Sequence, residues 1–243
     1  MSMSRQAQLA LGFYPSRSSE FDDYFAGENI ETVCGLRRWS EGQGARVVYV
    51  WGNRGTGKTH LLQAAIKHAH TAGGRVIYVP LDESELWADG MFDGLEELDF
   101  LALDDIDACR GNASRERSLF NLFNRVTATG TRLLWSGSRR PAPAGSFELA
   151  DLASRHASSL SYHLAAPKDE QLRQAMKFLA QRRGLDLSEH VIDYILHRQS
   201  REISSLVRVV QQLDTASLEQ RRPISVPFVR EALENGSETP DGC

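Results

Sequence analysis

Eight consecutive residues carry the strongest chemical signal in this sequence. Residues 52–59 read Gly-Asn-Arg-Gly-Thr-Gly-Lys-Thr, so that three glycines are followed directly by lysine and threonine. Glycines let backbone N–H groups curl around phosphate oxygens, and a helix beginning at the lysine adds its positive dipole end. We therefore expect Lys58 to reach the β- and γ-phosphates of a nucleotide and the Thr59 hydroxyl to bind Mg²⁺. The predicted binding residues for ADP or ATP are Gly52, Asn53, Arg54, Gly55, Thr56, Gly57, Lys58, Thr59 and His60.

This phosphate loop requires a strand before it and a helix after it. Residues 46–51 are a run of strand formers, and Leu61, Leu62, Ala65 and Ile66 recur at helical spacing after Gly57. Both elements are therefore predicted at the positions that phosphate binding needs. The alternative is a plain glycine-rich turn from strand to helix.

A second signal lies further along the chain, where the apolar strand predicted at residues 98–103 is followed by two carboxylates, Asp104 and Asp105. In a phosphate-loop protein the first carboxylate holds Mg²⁺ and the next can orient the attacking water. We predict these roles for the two residues. The competing interpretation is a pair of surface aspartates at a strand end.

Two further candidates lie near the ends of later strands. Ser138 follows the apolar run 131–135 and is a candidate for holding a water near the γ-phosphate, or it belongs to an ordinary turn. Arg155 ends the segment Asp-Leu-Ala-Ser-Arg before the last predicted strand, 160–164. There it is a candidate to act on a nucleotide held by a neighbouring subunit, or it is a solvated surface arginine.

The order of elements predicts an α/β fold with a five-stranded parallel sheet, followed by a small all-helical lid domain. Short apolar strands alternate with helical patterns up to Pro167, and only helical patterns follow. The predicted domains are an N-terminal tail at 1–27, the α/β domain at 28–166, the lid at 167–235 and a disordered tail at 236–243. The strand after Arg155 is expected at the edge of the sheet opposite the second strand.

Composition limits the classes of function. Of 243 residues, 28 are basic and 32 acidic, without the basic surplus of a protein that grips DNA through phosphates. Three scattered cysteines favour a reducing compartment over a disulfide framework. We find neither a signal-peptide pattern nor an apolar run of about 18 residues, so we expect a cytoplasmic protein without a membrane association.

The N-terminal segment contains large apolar side chains without a strand or helix pattern of its own. Gln8, Leu9, Leu11 and Phe13 either dock on the body of the same chain or form a short peptide that enters an apolar pocket of a partner.

Together these residues resemble a known family. The stretches 57–62 and 104–106 resemble the AAA+ core of the bacterial replication initiator DnaA. The stretches 78–82, 151–155 and 212–229 more closely resemble the Hda family, short DnaA homologues that bind the sliding clamp of DNA polymerase III (its beta subunit) and promote hydrolysis of DnaA-bound ATP. The resemblance implies that DnaA is a partner, that initiation of chromosome replication is inhibited, and that Gln8, Leu9, Leu11 and Phe13 bind the clamp.

The chain also departs from the DnaA pattern. A phosphate-sensing arginine of the DnaA lid is replaced by Ser204, with Arg201 and Arg208 as substitutes one helical turn away. If neither substitutes, we expect nucleotide binding with weak hydrolysis. No helix-turn-helix pattern follows the lid, so we expect no direct sequence-specific DNA binding.

Three functions remain in competition at this point. The favoured one is a nucleotide-bound adaptor in which Asp105 and Ser138 serve the chain's own site and Arg155 serves a partner's. The alternative is an ATPase motor or helicase-loader-like protein acting through its own turnover, and the third is a DNA-binding initiator. The resting nucleotide and the oligomeric state, including a homodimer, stay open.

Overall fold

The computed structural model describes residues 19–82, 87, 90–143, 145–200, 202–220 and 222–235. The chain divides into two compact units. The first runs up to Ala165 except for residues 54–56, and the second comprises those three residues and the chain from Ala166 onward.

The first unit is an α/β domain built on one parallel sheet. Its strands and helices, in chain order, are α1 (Ile30–Ser40), β1 (Val47–Trp51), α2 (Lys58–Thr71), β2 (Val76–Pro80), β3 (Phe100–Asp104), α3 (Ala113–Thr129), β4 (Arg132–Gly137), α4 (Ala150–Ala157) and β5 (Leu160–His163). The strands lie in the order β2-β3-β4-β1-β5, and all neighbouring pairs are parallel. The predicted five-stranded parallel sheet is therefore confirmed, and the ends of β1, β3, β4 and β5 lie within two residues of the predicted ones.

Alternation along the strands produces one apolar core on each face of the sheet. In β1, Val48 and Val50 pack with α1 and α2, while Tyr49 packs on the opposite face with α3 and α4. Successive side chains of a strand point to opposite faces, so five consecutive apolar residues are explained by a strand covered on both sides. The edge strand β5 is mostly exposed.

The segment before α1 belongs to this domain as well. Phe21 and Tyr24 are buried against the core formed by α1 and α2. The Ser19 hydroxyl donates to the Gln63 side chain at 2.8 Å, and Lys67 forms an ion pair with Glu20 at 2.7 Å. Residues 19–24, which the sequence analysis placed in the N-terminal tail, therefore pack on one side of α2, because two large apolar rings are buried there.

The described residues of the second unit form four helices: α5 (Asp169–Arg182), α6 (Glu189–Arg198), α7 (Ile203–Gln220) and α8 (Val226–Asn235). Apolar side chains at helical spacing, among them Met176, Ile192, Val210 and Phe228, form its own core. The Ser188 hydroxyl caps α6 by accepting from the Val191 N–H. The predicted helical lid is confirmed. Among the described residues, no helix combines the length and the apolar character that crossing a bilayer requires.

Candidate functional site

The residues of the predicted phosphate loop connect β1 to α2. Gly55 and Gly57 have positive φ angles of +79° and +94°, a backbone conformation that favours glycine. A Cβ atom on Gly57 would also lie 2.6 Å from the Tyr24 ring. Because a glycine cap supplies no side-chain acceptor for the first N–H groups of α2, this helix start suits an anion.

Lys58 is the first residue of α2, and its ammonium group lies against the loop. The Nζ atom donates to the carbonyl oxygens of Gly52 at 2.9 Å and Asn53 at 3.1 Å. Burial lowers the pKa of Lys58, and the charges of Asp104 and Asp105 oppose this shift. A cation is thus held beside the loop and near two carboxylates, while Thr59 on the next position of the helix is exposed.

Asp104 ends β3 and is buried, with 6% of its surface exposed. The Tyr78 hydroxyl donates to its Oδ2 at 2.7 Å, and the Ser136 hydroxyl donates to its Oδ1. The Ser136 oxygen in turn accepts from the backbone N–H of Asp105 at 3.0 Å. Three neighbouring strands therefore position this carboxylate.

Asp105 follows in a left-handed conformation, with φ at 56°. This is uncommon for a residue other than glycine, and the backbone turns here out of the sheet into the short helical turn Ile106–Cys109. Burial, and then the charges of Asp107 and Asp104, raise the pKa of Asp105. A carboxylate with a raised pKa beside the phosphate loop is a candidate general base.

Ser138 lies one residue beyond β4, and its side chain is exposed. Its backbone N–H donates to Asp107, which also forms an ion pair with Arg110. Burial acts to raise the pKa of Asp107, but the hydrogen bonds from Ser138 and Arg110 outweigh it and lower the pKa overall. Asp107 thereby joins the end of β4 to the turn that follows β3.

Arg155 lies in the last turn of α4 and is exposed. The next residue, His156, is fully buried, with its ring 4.2 Å from that of Tyr49 and edge-on to it. The start of α4 is held by the buried Glu116, whose carboxylate accepts from the Leu149 N–H at 2.7 Å. Both contacts fix the helix, and Arg155 projects from it just before the edge strand β5.

The remaining predicted residues belong to the N-terminal segment of the sequence or to the second unit. Gln8, Leu9, Leu11 and Phe13 are outside the described residues, and so is Arg201. Ser204 and Arg208 are exposed on α7, and the Ser204 hydroxyl lies 3.4 Å from a carboxylate oxygen of Glu202.

The His60 and Tyr24 rings pack against each other next to Gly57 of the loop. The two rings stack at 5.9 Å, the His60 Nε2 atom lies 2.8 Å from the Glu20 carbonyl oxygen, and the Asn29 amide donates to the Tyr24 hydroxyl at 3.2 Å. Burial lowers the pKa of His60, so its ring is mostly neutral near pH 7.

Among the residues that contact the predicted set, Tyr24, Tyr78, Asp107 and Ser136 carried no signal in the sequence analysis. None of the four follows from the sequence alone, because strand order and packing bring them to these contacts. The pairing of Leu103 with Trp135 in the parallel register puts the next residues, Asp104 and Ser136, side by side.

The fold family implies Mg²⁺, and the donor set fits it. No cluster of three or more histidine, cysteine or acidic side chains suited to a metal exists among the described residues. Mg²⁺ in nucleotide sites typically takes one or two carboxylates together with phosphate oxygens and waters, so such a cluster is not required. Asp104 and the Thr59 hydroxyl are oxygen ligands of the preferred kind, and we assign them as the residues that would hold the ion.

A parallel sheet of this order, a glycine-rich loop between β1 and α2, an acidic end on β3 and a separate helical domain define an α/β AAA+ protein of the phosphate-loop class. A family model of the bacterial DnaA ATPase domain matches residues 18–165, and a model of the Hda lid domain matches residues 169–233. The first match spans more than half of the chain, so this protein belongs to the bacterial DnaA ATPase family, and it carries an Hda-type lid.

Solved structures support the same architecture. Domain III of the Thermotoga maritima replication initiation protein DnaA matches with a TM-score of 0.75 and 18% identity, over 92% of this chain and 98% of that one. AMPPCP-bound DnaA from Aquifex aeolicus matches with a TM-score of 0.70 and 22% identity, over 93% and 71%. Thermotoga maritima RuvB, a Holliday junction branch migration motor, matches with a TM-score of 0.63 and 17% identity, over 90% and 72%. At these identities the similarity concerns the fold.

Proposed function

We propose that this protein is a nucleotide-bound AAA+ adaptor that binds the replication sliding clamp, promotes hydrolysis of DnaA-bound ATP and so restrains initiation of chromosome replication. One observation carries the proposal: a DnaA-type ATPase domain with a complete phosphate loop is followed directly by an Hda-type lid at residues 169–233. The lid match is what points to an Hda-type protein within the AAA+ class.

The nucleotide is ADP or ATP with Mg²⁺. Lys58 and the N–H groups at the start of α2 bind the phosphates, and Asp104 with Thr59 holds the metal ion. When bound, the metal neutralises phosphate charge. A DnaA of the same fold is described with AMPPCP, an ATP analogue, which supports a nucleoside triphosphate as one ligand of this fold.

Arg155 acts on the partner's nucleotide in this proposal. Its side chain is exposed, whereas the helix beneath it is fixed by buried His156 and by Glu116. β5, which follows it, is at the sheet edge opposite β2. A planar cation that projects from a fixed helix beside such an edge can meet the charge that develops on a phosphoryl group bound to another protein, and this stabilises the transition state more than the ground state.

The clamp is bound by the N-terminal peptide with Gln8, Leu9, Leu11 and Phe13. This part of the proposal rests on the sequence resemblance and on the cost of leaving three large apolar side chains in water. Burying one leucine in an apolar pocket contributes roughly 1.5–3 kcal/mol.

An ATPase motor is the second candidate, because the chain's own site contains the parts for hydrolysis. Lys58, Asp104 and the half-buried Asp105 with its raised pKa lie around one loop. The two functions differ in whose ATP is consumed: a motor hydrolyses its own nucleotide rapidly when isolated, and an adaptor needs DnaA present.

The test is phosphate release from DnaA-bound ATP in the presence of clamp loaded on DNA. Replacing Arg155 by alanine should leave nucleotide affinity and thermal stability unchanged and should lower the stimulated rate by roughly 10³-fold or more. Arg117, an exposed arginine on α3, gives a matched control. If Arg155→Ala stimulates as well as Arg117→Ala does, the proposed action on DnaA through Arg155 is wrong.

A further inference from the structure

We propose that Tyr78 is a positioning residue for the metal ion: its hydroxyl fixes the Asp104 carboxylate in the orientation that holds Mg²⁺ on the bound nucleotide. The inference rests on the proposed nucleotide binding and adds a residue to that site. Tyr78 lies in the middle of β2, two residues before the strand ends at Pro80.

The contacts define the carboxylate on both of its oxygens. The Tyr78 hydroxyl donates to Oδ2 at 2.7 Å in a buried hydrogen bond, and the Ser136 hydroxyl donates to Oδ1 from the other side. Each oxygen therefore receives one neutral donor, and the plane of the carboxylate cannot rotate without breaking a bond. The remaining lone pairs are left for the metal ion or for a water bound to it.

The strand register explains how Tyr78 reaches this position. Tyr78 pairs with Ala102 on the adjacent strand, and Pro80 pairs with Asp104. Side chains two apart on a strand share a face, so Tyr78, Ala102 and Asp104 all lie on the side of the sheet covered by α2. A phenol is long enough to span the two-residue offset along the strand.

The hydroxyl is held in the donating role by its surroundings. An ordinary phenol, with a pKa of about 10, is protonated at neutral pH, and an ionised carboxylate can only accept, so Tyr78 donates to Asp104. The Gln63 side chain on α2 also hydrogen-bonds to this hydroxyl and accepts from Ser19 at 2.8 Å. A chain of hydrogen bonds thus runs from Ser19 through α2 and β2 to Asp104 and fixes the ring.

A neighbour that orients a metal-binding carboxylate contributes to metal affinity and not to nucleotide binding as such. Loss of an outer-shell partner of this kind typically costs about 10–100-fold in metal affinity. Binding without metal depends instead on Lys58 and the N–H groups of the loop, whereas the Tyr78 hydroxyl bonds to Asp104 and Gln63. Loss of the Tyr78 hydroxyl should therefore change the nucleotide affinity only when Mg²⁺ is present.

The experiment titrates AMPPCP calorimetrically into the full-length protein, once with Mg²⁺ and once with EDTA. Tyr78→Phe should reduce the Mg²⁺-dependent gain in affinity about tenfold and leave the affinity in EDTA unchanged. Tyr49→Phe is the matched control, because it also removes one hydroxyl from a buried tyrosine of the sheet. The Tyr49 hydroxyl donates instead to the Arg139 carbonyl oxygen, at 2.9 Å. This control should keep the full Mg²⁺ gain.

Three outcomes contradict the proposal in different ways. If Mg²⁺ increases the AMPPCP affinity of Tyr78→Phe as much as that of the parent, the Tyr78 hydrogen bond does not position Asp104. If Tyr78→Phe lowers the affinity for AMPPCP equally in Mg²⁺ and in EDTA, Tyr78 supports the fold only. The midpoint temperature of thermal unfolding without nucleotide should then be lower as well. If the parent protein binds neither AMPPCP nor ADP under either condition, the proposed nucleotide site itself is wrong.

Discussion

Removing the charge of Lys58 is the most direct perturbation of the proposed nucleotide site. An ammonium group has three N–H donors. In the structure two of them go to the carbonyl oxygens of Gly52 and Asn53, at 2.9 and 3.1 Å. One donor is therefore left for a phosphate oxygen without breaking contacts within the loop.

The expected loss follows from that count. One hydrogen bond to a charged group contributes about 1.5–3 kcal/mol. Since each 1.4 kcal/mol changes an equilibrium tenfold, Lys58→Ala should weaken AMPPCP binding by roughly 10- to 150-fold. Alanine at the first position of α2 keeps the helix, because alanine has the highest helix propensity.

Calorimetry of Lys58→Ala against the parent measures this difference, with thermal unfolding as the check on the fold. Lys67→Ala is the matched control on the same helix, since Lys67 pairs with Glu20 and is remote from the loop in sequence. Equal affinity of Lys58→Ala and the parent would refute the assignment of residues 52–59 as a phosphate site. A loss far above 150-fold would show that the lysine leaves the loop carbonyls and gives more than one donor to the phosphates.

Three further predictions follow from other parts of the chain. Isolated protein should turn over ATP below the typical enzyme range of about 1–10³ per second, because we predict Ser204 in place of the lid arginine and propose that Arg155 serves another protein. A steady-state rate within that range in a phosphate-release assay would contradict this. Changing Gln8 and Leu9 together to alanine should abolish co-elution with the clamp and leave nucleotide binding intact, whereas continued co-elution would mean that the tail packs on its own domain. Burial lowers the pKa of His156 from 6.5 to about 4. Between these two pH values the unfolded chain therefore binds more protons than the folded one. The contribution of the neutral His156 to the free energy of unfolding is fully present above pH 6.5 and is lost as the pH drops toward 4. In urea unfolding, His156→Phe should reduce by about 3 kcal/mol the loss in the free energy of unfolding between pH 6.5 and pH 4. If the free energy of unfolding of this variant depends on pH as it does in the parent, the buried histidine is not the source of the loss.

Local patterns in the sequence were sufficient for the fold class and for the phosphate loop. The apolar runs of β1 and β3 and the helical spacing after Gly57 are set by neighbouring residues, because burial on two faces demands continuous apolar strands. The positive φ angles of the loop likewise require glycine at particular positions, which the sequence displays directly. Asp104 was found by the same logic, since it ends a strand that follows the loop.

The side-chain environment of that site was decided by the tertiary structure. Tyr78 and Asp104 are 26 residues apart, and Ser136 and Asp104 are 32 apart. Whether such residues touch depends on strand order and register, which are fixed by the packing of α2 and α3 on the two faces of the sheet. Tyr24 reaches Gly57 in the same way, because the apolar rings of the segment before α1 pack against α2. The sequence by itself thus indicated which groups are candidates for the chemistry, whereas only the packed sheet decided which neighbours hold them in place.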